Sequence, residues 1–317
     1  MSNLSTPIGA GNEAKTVATD PFGVYAYDAA YDSNAVFGYS ISNTGLSLLP
    51  TEPYAAGNGP SWLTTDLSGS FLYATMQTDN TVWKYDLVSG VPTSGASAIS
   101  THAGPVFLTT DPTGSFIYVA DTTAATIDVF SINLPQGGLG PIAGGSVAHG
   151  TSQNWIAIDP SGRFAYSADP LSNAVWQFTI GTTGALTLNS NPYLPAGPSA
   201  STPGAGSVAI DPTGKFLYAT NVSLGQIYLF TIDPSTGLLS PVHTSMSGGE
   251  AADPGPLPGE LAVDISGKYL YCVTTPTAGS GTISIYKIDP STGLLTSVGA
   301  VTNVPFAAGF TTTGTLQ

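Results

Sequence analysis

The 317-residue chain sets 20 acidic side chains against six basic ones, a net charge of −14 at pH 7, and has a single arginine, Arg163. That balance argues against nucleic acid and anionic membrane surfaces as partners, and it leaves a phosphorylated substrate without the bidentate clamp that arginines supply. Hydrophobic residues make up 42%, with 15 Tyr, 12 Phe and four Trp, enough for a large core, and the scarcity of Lys, Glu, Arg and Gln predicts almost no helix.

In chain order, residues 4–9 read as a short outer strand, and six copies of one pattern follow. Each copy opens on a short apolar strand, A: Val17-Ala18-Thr19, Trp62-Leu63-Thr64, Phe107-Leu108-Thr109, Trp155-Ile156-Ala157, Val208-Ala209-Ile210 and Leu261-Ala262-Val263. Strand A runs into a turn built on Asp20, Asp66, Asp111, Asp159, Asp211 or Asp264, usually followed by Pro, then Ser or Thr, then Gly. The aspartate accepts from backbone N–H groups further along, proline presets φ and glycine takes a positive one. These acids therefore read as turn residues rather than catalytic acids. Strand B is centred on Tyr25, Tyr73, Tyr118, Tyr166, Tyr218 and Tyr271. Strand C carries Phe37/Tyr39, Trp83/Tyr85, Phe130, Trp176/Phe178, Tyr228/Phe230 and Tyr286. Period-two alternation puts each pair on one sheet face, and the rings read as core between stacked sheets. A second turn, clearest at Asp233-Pro234-Ser235-Thr236-Gly237 and Asp289-Pro290-Ser291-Thr292-Gly293, leads to strand D.

Four strands repeated at this spacing are the signature of a β-propeller: an all-β domain of four-stranded antiparallel blades. The expected single domain covers 1–317, with repeats near 17–57, 61–103, 106–150, 154–200, 207–255 and 260–303. Residues 306–311 resemble a seventh strand A and residues 4–9 its strand D, while strands B and C of that blade are missing. The expectation is six complete blades and an incomplete seventh shared by the termini. Its unpaired edges, at Leu4, Pro7, Ile8, Phe306, Phe310 and Leu316, would invite pairing with another copy into an oligomer or polymer.

The runs Val-Ala-Ile-Asp-Pro-Thr-Gly-Lys-Phe-Leu-Tyr-Ala-Thr-Asn (208–221) and Gln-Ile-Tyr-Leu-Phe-Thr-Ile-Asp-Pro-Ser-Thr-Gly-Leu-Leu-Ser (226–240) resemble the seven-bladed lactonase-type propellers, the 6-phosphogluconolactonase-like family. The resemblance covers essentially the whole chain. It implies a substrate on the face bearing the D–A and B–C loops, where enzymes of the family are expected to use His, Arg and Glu. The strand-A entries here hold Lys15, Ser61, Val106, Asn154, Gly206 and Gly259, with no such cluster. The nearest titratable groups are His102 and His149 in D–A loops and Glu260 at the start of a strand A. They read either as a catalytic set or as loop residues bonded locally.

Asp28, Asp121 and Asp169, near the ends of B strands, read either as caps of the B–C loops or as oxygen ligands for Ca²⁺, and no other cofactor is expected. The lone Cys272 excludes an internal disulfide and reads as a buried, inert thiol. Segment 245–259 leaves room for a glycan or peptide ligand. No run is long enough to span a bilayer, and the start shows neither the basic nor the apolar part of an export signal. The lean, Thr/Ser-rich composition still points to an extracellular or cell-surface protein. Together these features favour a non-catalytic scaffold or binding propeller that assembles through its termini; the alternative is a sugar-lactone hydrolase.

Overall fold

Each turn aspartate organises its own hairpin. In the third repeat Asp111 Oδ1 accepts from Ser115 N and Phe116 N, both at 2.7 Å, while Oδ2 accepts from Thr113 N at 3.1 Å. All six aspartates accept at Oδ1 from the fourth and fifth residues onward. The glycine three residues after each one has φ between 66° and 70°. A turn carboxylate that satisfies backbone donors in this way has no lone pairs to spare for chemistry.

The computed structural model describes residues 13–93, 97–195, 204–242, 250–252, 254, 258–274 and 280–305. Strands 4–9 and 306–311, the assembly positions Leu4, Pro7, Ile8, Phe306, Phe310 and Leu316, and most of segment 245–259 lie outside the described residues. Among the described residues there is no helix. Six antiparallel sheets succeed one another as blades 1 to 6, spanning residues 14–55, 60–100, 105–148, 155–195, 205–252 and 258–305. Blade 3 shows the plan: strands A (Pro105–Thr110), B (Phe116–Asp121), C (Thr126–Asn133) and D (Gly138–Ala148) pair in that order. In blades 1, 2 and 5 two short strands share the outer D position.

The A strands of blades 1 to 6 touch in succession and so form the inner rim. Trp62 of blade 2 meets Trp155 of blade 4 with ring centroids 4.7 Å apart, and both pack on Phe107 of blade 3 at 4.7 and 4.5 Å. Contact between two blades that are not neighbours requires those rings to converge across the inner rim.

The blades are latched by tyrosines. Tyr27, Tyr73, Tyr118, Tyr166 and Tyr218 are wholly buried. Each donates its hydroxyl to the carbonyl of the glycine in the next blade's C–D turn: Gly90, Gly137, Gly184, Gly237 and Gly293, at 2.7 to 3.0 Å. Burying such a ring contributes roughly 2–3 kcal/mol, and its hydrogen bond about 1 kcal/mol more. This corrects the reading of strand B in blade 1. The repeat tyrosine is Tyr27, seven residues after the turn aspartate as in every other blade, and not Tyr25. The same two-residue offset places Asp28 inside strand B (Tyr25–Ala30), paired with Val17 and Phe37, rather than near its end. Blade 6 has no following blade among the described residues. Tyr271 is partly exposed, and Tyr269 is 37% exposed where its counterparts Phe71, Phe164 and Phe216 are buried.

Candidate functional site

The loop face is built from D–A loops beside B–C loops, and both types are stitched across blade boundaries. Asn34 and Asn80 sit in B–C loops with φ of 49° and 54°, a left-handed backbone that asparagine tolerates. Their side-chain oxygens accept from Gly59 N and Gly104 N of the D–A loop entering the next blade, at 2.9 and 2.8 Å. Rigid loops of this kind can hold side chains in register.

His102 lies in the D–A loop between strand D of blade 2 (Ser97–Ser100) and strand A of blade 3. Its Nδ1 is 2.8 Å from Asp128 Oδ1, and its backbone N donates to Asp128 Oδ2, also at 2.8 Å. One carboxylate thus fixes both the loop and the ring. The imidazole side chain is 54% exposed and the carboxylate 5% exposed. Beside them, at the end of strand B, stands Asp121, fully buried. Its Oδ2 accepts from Thr126 Oγ1 at 3.3 Å, and its Oδ1 has no hydrogen-bond partner. Burial, and then the charge of Asp128, push the Asp121 carboxyl up to about 9. The donor atoms of His102, Asp121 and Asp128 all lie within 4.8 Å of one another, close enough to converge on one ion. An open groove of about 320 Å³ adjoins the cluster, lined by Thr101, His102, Asp128, Phe130, Ile142 and Ser146 among others. It lies between the outer strands of blades 2 and 3, not on the propeller axis.

The other candidate residues sit apart from this cluster. His149, in the D–A loop before blade 4, is buried. Its Nε2 is 3.1 Å from Ser167 Oγ and its ring packs edge-on against Trp176 and Phe178. Burial pushes its pKa down to about 4, so the ring is neutral at pH 7. Glu260 lies buried in strand A of blade 6 (Pro258–Val263). Asp169 accepts from Thr151 N at 2.7 Å, Thr151 Oγ1 at 2.9 Å and Ser172 N at 3.1 Å. Burial would raise its carboxyl, but these donors carry it below the ordinary range, as befits a loop cap. Asp28 is 2% exposed, neither oxygen has a partner, and burial pushes it up to about 7. Cys272 is buried, its thiol pushed up to about 12. Of the sequence candidates, then, only His102 and Asp121 come together.

Asp128 escaped the sequence reading although a signal was present. Strand C carries an aromatic 17 residues after the turn aspartate at Phe37, Trp83, Trp176 and Tyr228, and at that place in blade 3 the chain has Asp128. In blades 1, 2, 4 and 5 that place holds a ring, so the carboxylate of Asp128 is a departure from the repeat.

Three comparisons bear on this geometry. The family model described as lactonase, 7-bladed beta-propeller, matches residues 22–141 and 94–309. No curated protein matches the chain. Among solved structures, a putative 6-phosphogluconolactonase of Bacteroides fragilis superposes with a TM-score of 0.80 at 20% identity, covering 96% of this chain and 88% of its own. A periplasmic gluconolactonase of Pseudomonas aeruginosa gives 0.78 at 17% identity, with 95% and 88% covered. A Lactobacillus plantarum protein gives 0.81 at 17% identity, with 96% and 89% covered. These likenesses establish the fold. The family match overturns the expectation of a non-catalytic scaffold and favours its alternative. That expectation leaned in part on the absence of a His–Arg–Glu cluster.

Proposed function

Because the chain belongs to the lactonase family of seven-bladed β-propellers, we propose that it hydrolyses the ring ester of a sugar lactone, with the His102–Asp128 pair activating the attacking water. The observation that carries this reading is the pair itself: a solvent-facing imidazole tied at Nδ1 to a buried carboxylate, beside an open groove on the loop side. Asp128 accepts from Nδ1–H and so leaves Nε2 as the proton acceptor. Water that loses its proton to Nε2 attacks the lactone carbonyl carbon. The ring C–O bond breaks, and the departing oxygen takes the proton back to give the hydroxy acid.

The preferred substrate is an unphosphorylated aldonolactone. Arg163 is committed elsewhere: its Nη2 donates to Pro234 O at 2.6 Å and its Nε to Ser161 Oγ at 3.1 Å, among the A–B and C–D turns on the face opposite the loops. No arginine is therefore left to clamp a phosphate. The low-charge, Thr/Ser-rich composition supports a site of action outside the cytoplasm, in keeping with the periplasmic location named for the Pseudomonas aeruginosa neighbour.

A panel of aldonolactones, with and without 6-phosphate, tests the proposal by pH-stat titration. Turnover of neutral lactones is expected, falling roughly 100-fold or more in His102→Ala, the usual size of a general-base contribution, and unchanged in Arg163→Gln. No turnover above buffer, or full turnover in His102→Ala, refutes it.

A further inference from the structure

We propose that His102, Asp121 and Asp128 form a binding site for a divalent transition-metal ion between blades 2 and 3. The three residues come from separate segments: a D–A loop, the end of strand B and the start of strand C. Nothing in the repeat requires them to meet, yet their donor atoms lie within 4.8 Å of one another. His102 Nδ1 and Asp128 Oδ1 are hydrogen-bonded at 2.8 Å, so an ion would enter by replacing the proton between them.

Asp121 supplies the independent observation. It is fully buried, it is aimed at the other two groups, and its Oδ1 meets no donor. Buried carboxylates persist when paired or bound to metal. Among the described residues no lysine or arginine forms an ion pair with Asp121 or Asp128. A cation would neutralise the Asp128 carboxylate and give the orphaned oxygen of Asp121 a partner.

Blade 4 provides the contrast inside the same molecule. Asp169 occupies the place of Asp121 there, but donors from Thr151 and Ser172 satisfy it, and Trp176 stands where blade 3 has Asp128. The same strand end is thus closed as a structural cap in blade 4 and left open as a ligand set in blade 3.

One imidazole nitrogen with two carboxylate oxygens suits Zn²⁺ or Mn²⁺ better than Ca²⁺, which seeks six to eight oxygens. The groove beside His102 gives an ion a route in. Binding displaces the Nδ1 proton of His102. The catalytic consequence rests on the lactonase reading and would replace the base role given there to Nε2: an ion held by Nδ1 and the two carboxylates would supply a water of lowered pKa in its stead.

Calorimetric titration of chelator-treated protein with Zn²⁺, Mn²⁺ and Ca²⁺ tests the site. One Zn²⁺ or Mn²⁺ per chain is expected, with Ca²⁺ far weaker. Affinity is expected to fall by roughly 100-fold or more in Asp121→Asn, and by at least roughly tenfold in His102→Ala, whose exposed ring keeps the fold out of the question. Absence of stoichiometric binding, or wild-type affinity in His102→Ala, overturns the proposal. Metal binding without lactone turnover would leave this site standing and remove the lactonase reading; chelator-resistant turnover with no bound ion would do the reverse.

Discussion

Asp28 lies in strand B of blade 1 beside Tyr27, whose hydroxyl reaches blade 2, so alternation turns Asp28 to the opposite sheet face. Both its oxygens are buried without a partner, and the group holds its proton up to about pH 7 against an ordinary value of 3.8. Between those limits the folded chain keeps a proton that the unfolded chain has released. The stability this group contributes is therefore present in full below about pH 4 and is lost as pH rises through 7. Three pH units at 1.36 kcal/mol each amount to about 4 kcal/mol, a large share of the 5–15 kcal/mol typical of a folded domain. Asp28→Asn is close in shape to the protonated acid and cannot ionise. It is expected to match the wild type near pH 4 and to exceed it by up to about 4 kcal/mol at pH 8.5. Urea unfolding midpoints across pH 4–9, with the denaturant slope unchanged between the two proteins, measure the difference. Parallel pH profiles, or a variant weaker than wild type at pH 8.5, would show that the carboxylate finds a partner and that the reasoning fails.

His149 acts in the opposite sense to Asp28. Its pKa is depressed from 6.5 to about 4, so stability falls as pH drops between those values, by about 3 kcal/mol; in His149→Gln that limb flattens, and an unaltered slope in urea titrations would count against the assignment. Tyr218→Phe removes the latch onto Gly293 O, 2.8 Å away, and leaves a buried carbonyl unmet, so a loss of about 1–2 kcal/mol is expected by chemical denaturation. Gly293→Ala is expected to lose more, about 2–3 kcal/mol, because φ is 74° and the added Cβ would stand 2.6 Å from the buried Phe216 ring. A change below about 0.5 kcal/mol in Gly293→Ala would mean that blades 5 and 6 are not clamped there.

The blades were legible in the sequence because their determinants are local. An aspartate, its glycine and a tyrosine seven residues on act within one hairpin, and recurrence separates them from chance. The offset in blade 1 has a physical source: Tyr25 occupies the place of Phe71, Phe116, Phe164 and Phe216, so two tyrosines compete for one role. Only the bond from Tyr27 to Gly90 decides between them. The site was harder to read. His102 and Asp128 are 26 residues apart, and their meeting depends on how a D–A loop folds over the start of strand C. Strand pattern alone carries no such information, although the missing aromatic at Asp128 was visible. His149 and Asp169 come from the same kinds of segment as His102 and Asp121, a D–A loop and a strand-B end; what separates them is which donors close around each one.

The tyrosine latches tie residues 63 to 75 positions apart, always from one blade forward to its successor. A blade emerging from the ribosome therefore cannot finish its own core: its ring stays uncapped until the next C–D turn has been made. Each blade's core is thus completed only together with its neighbour, and such non-local closure makes assembly slow.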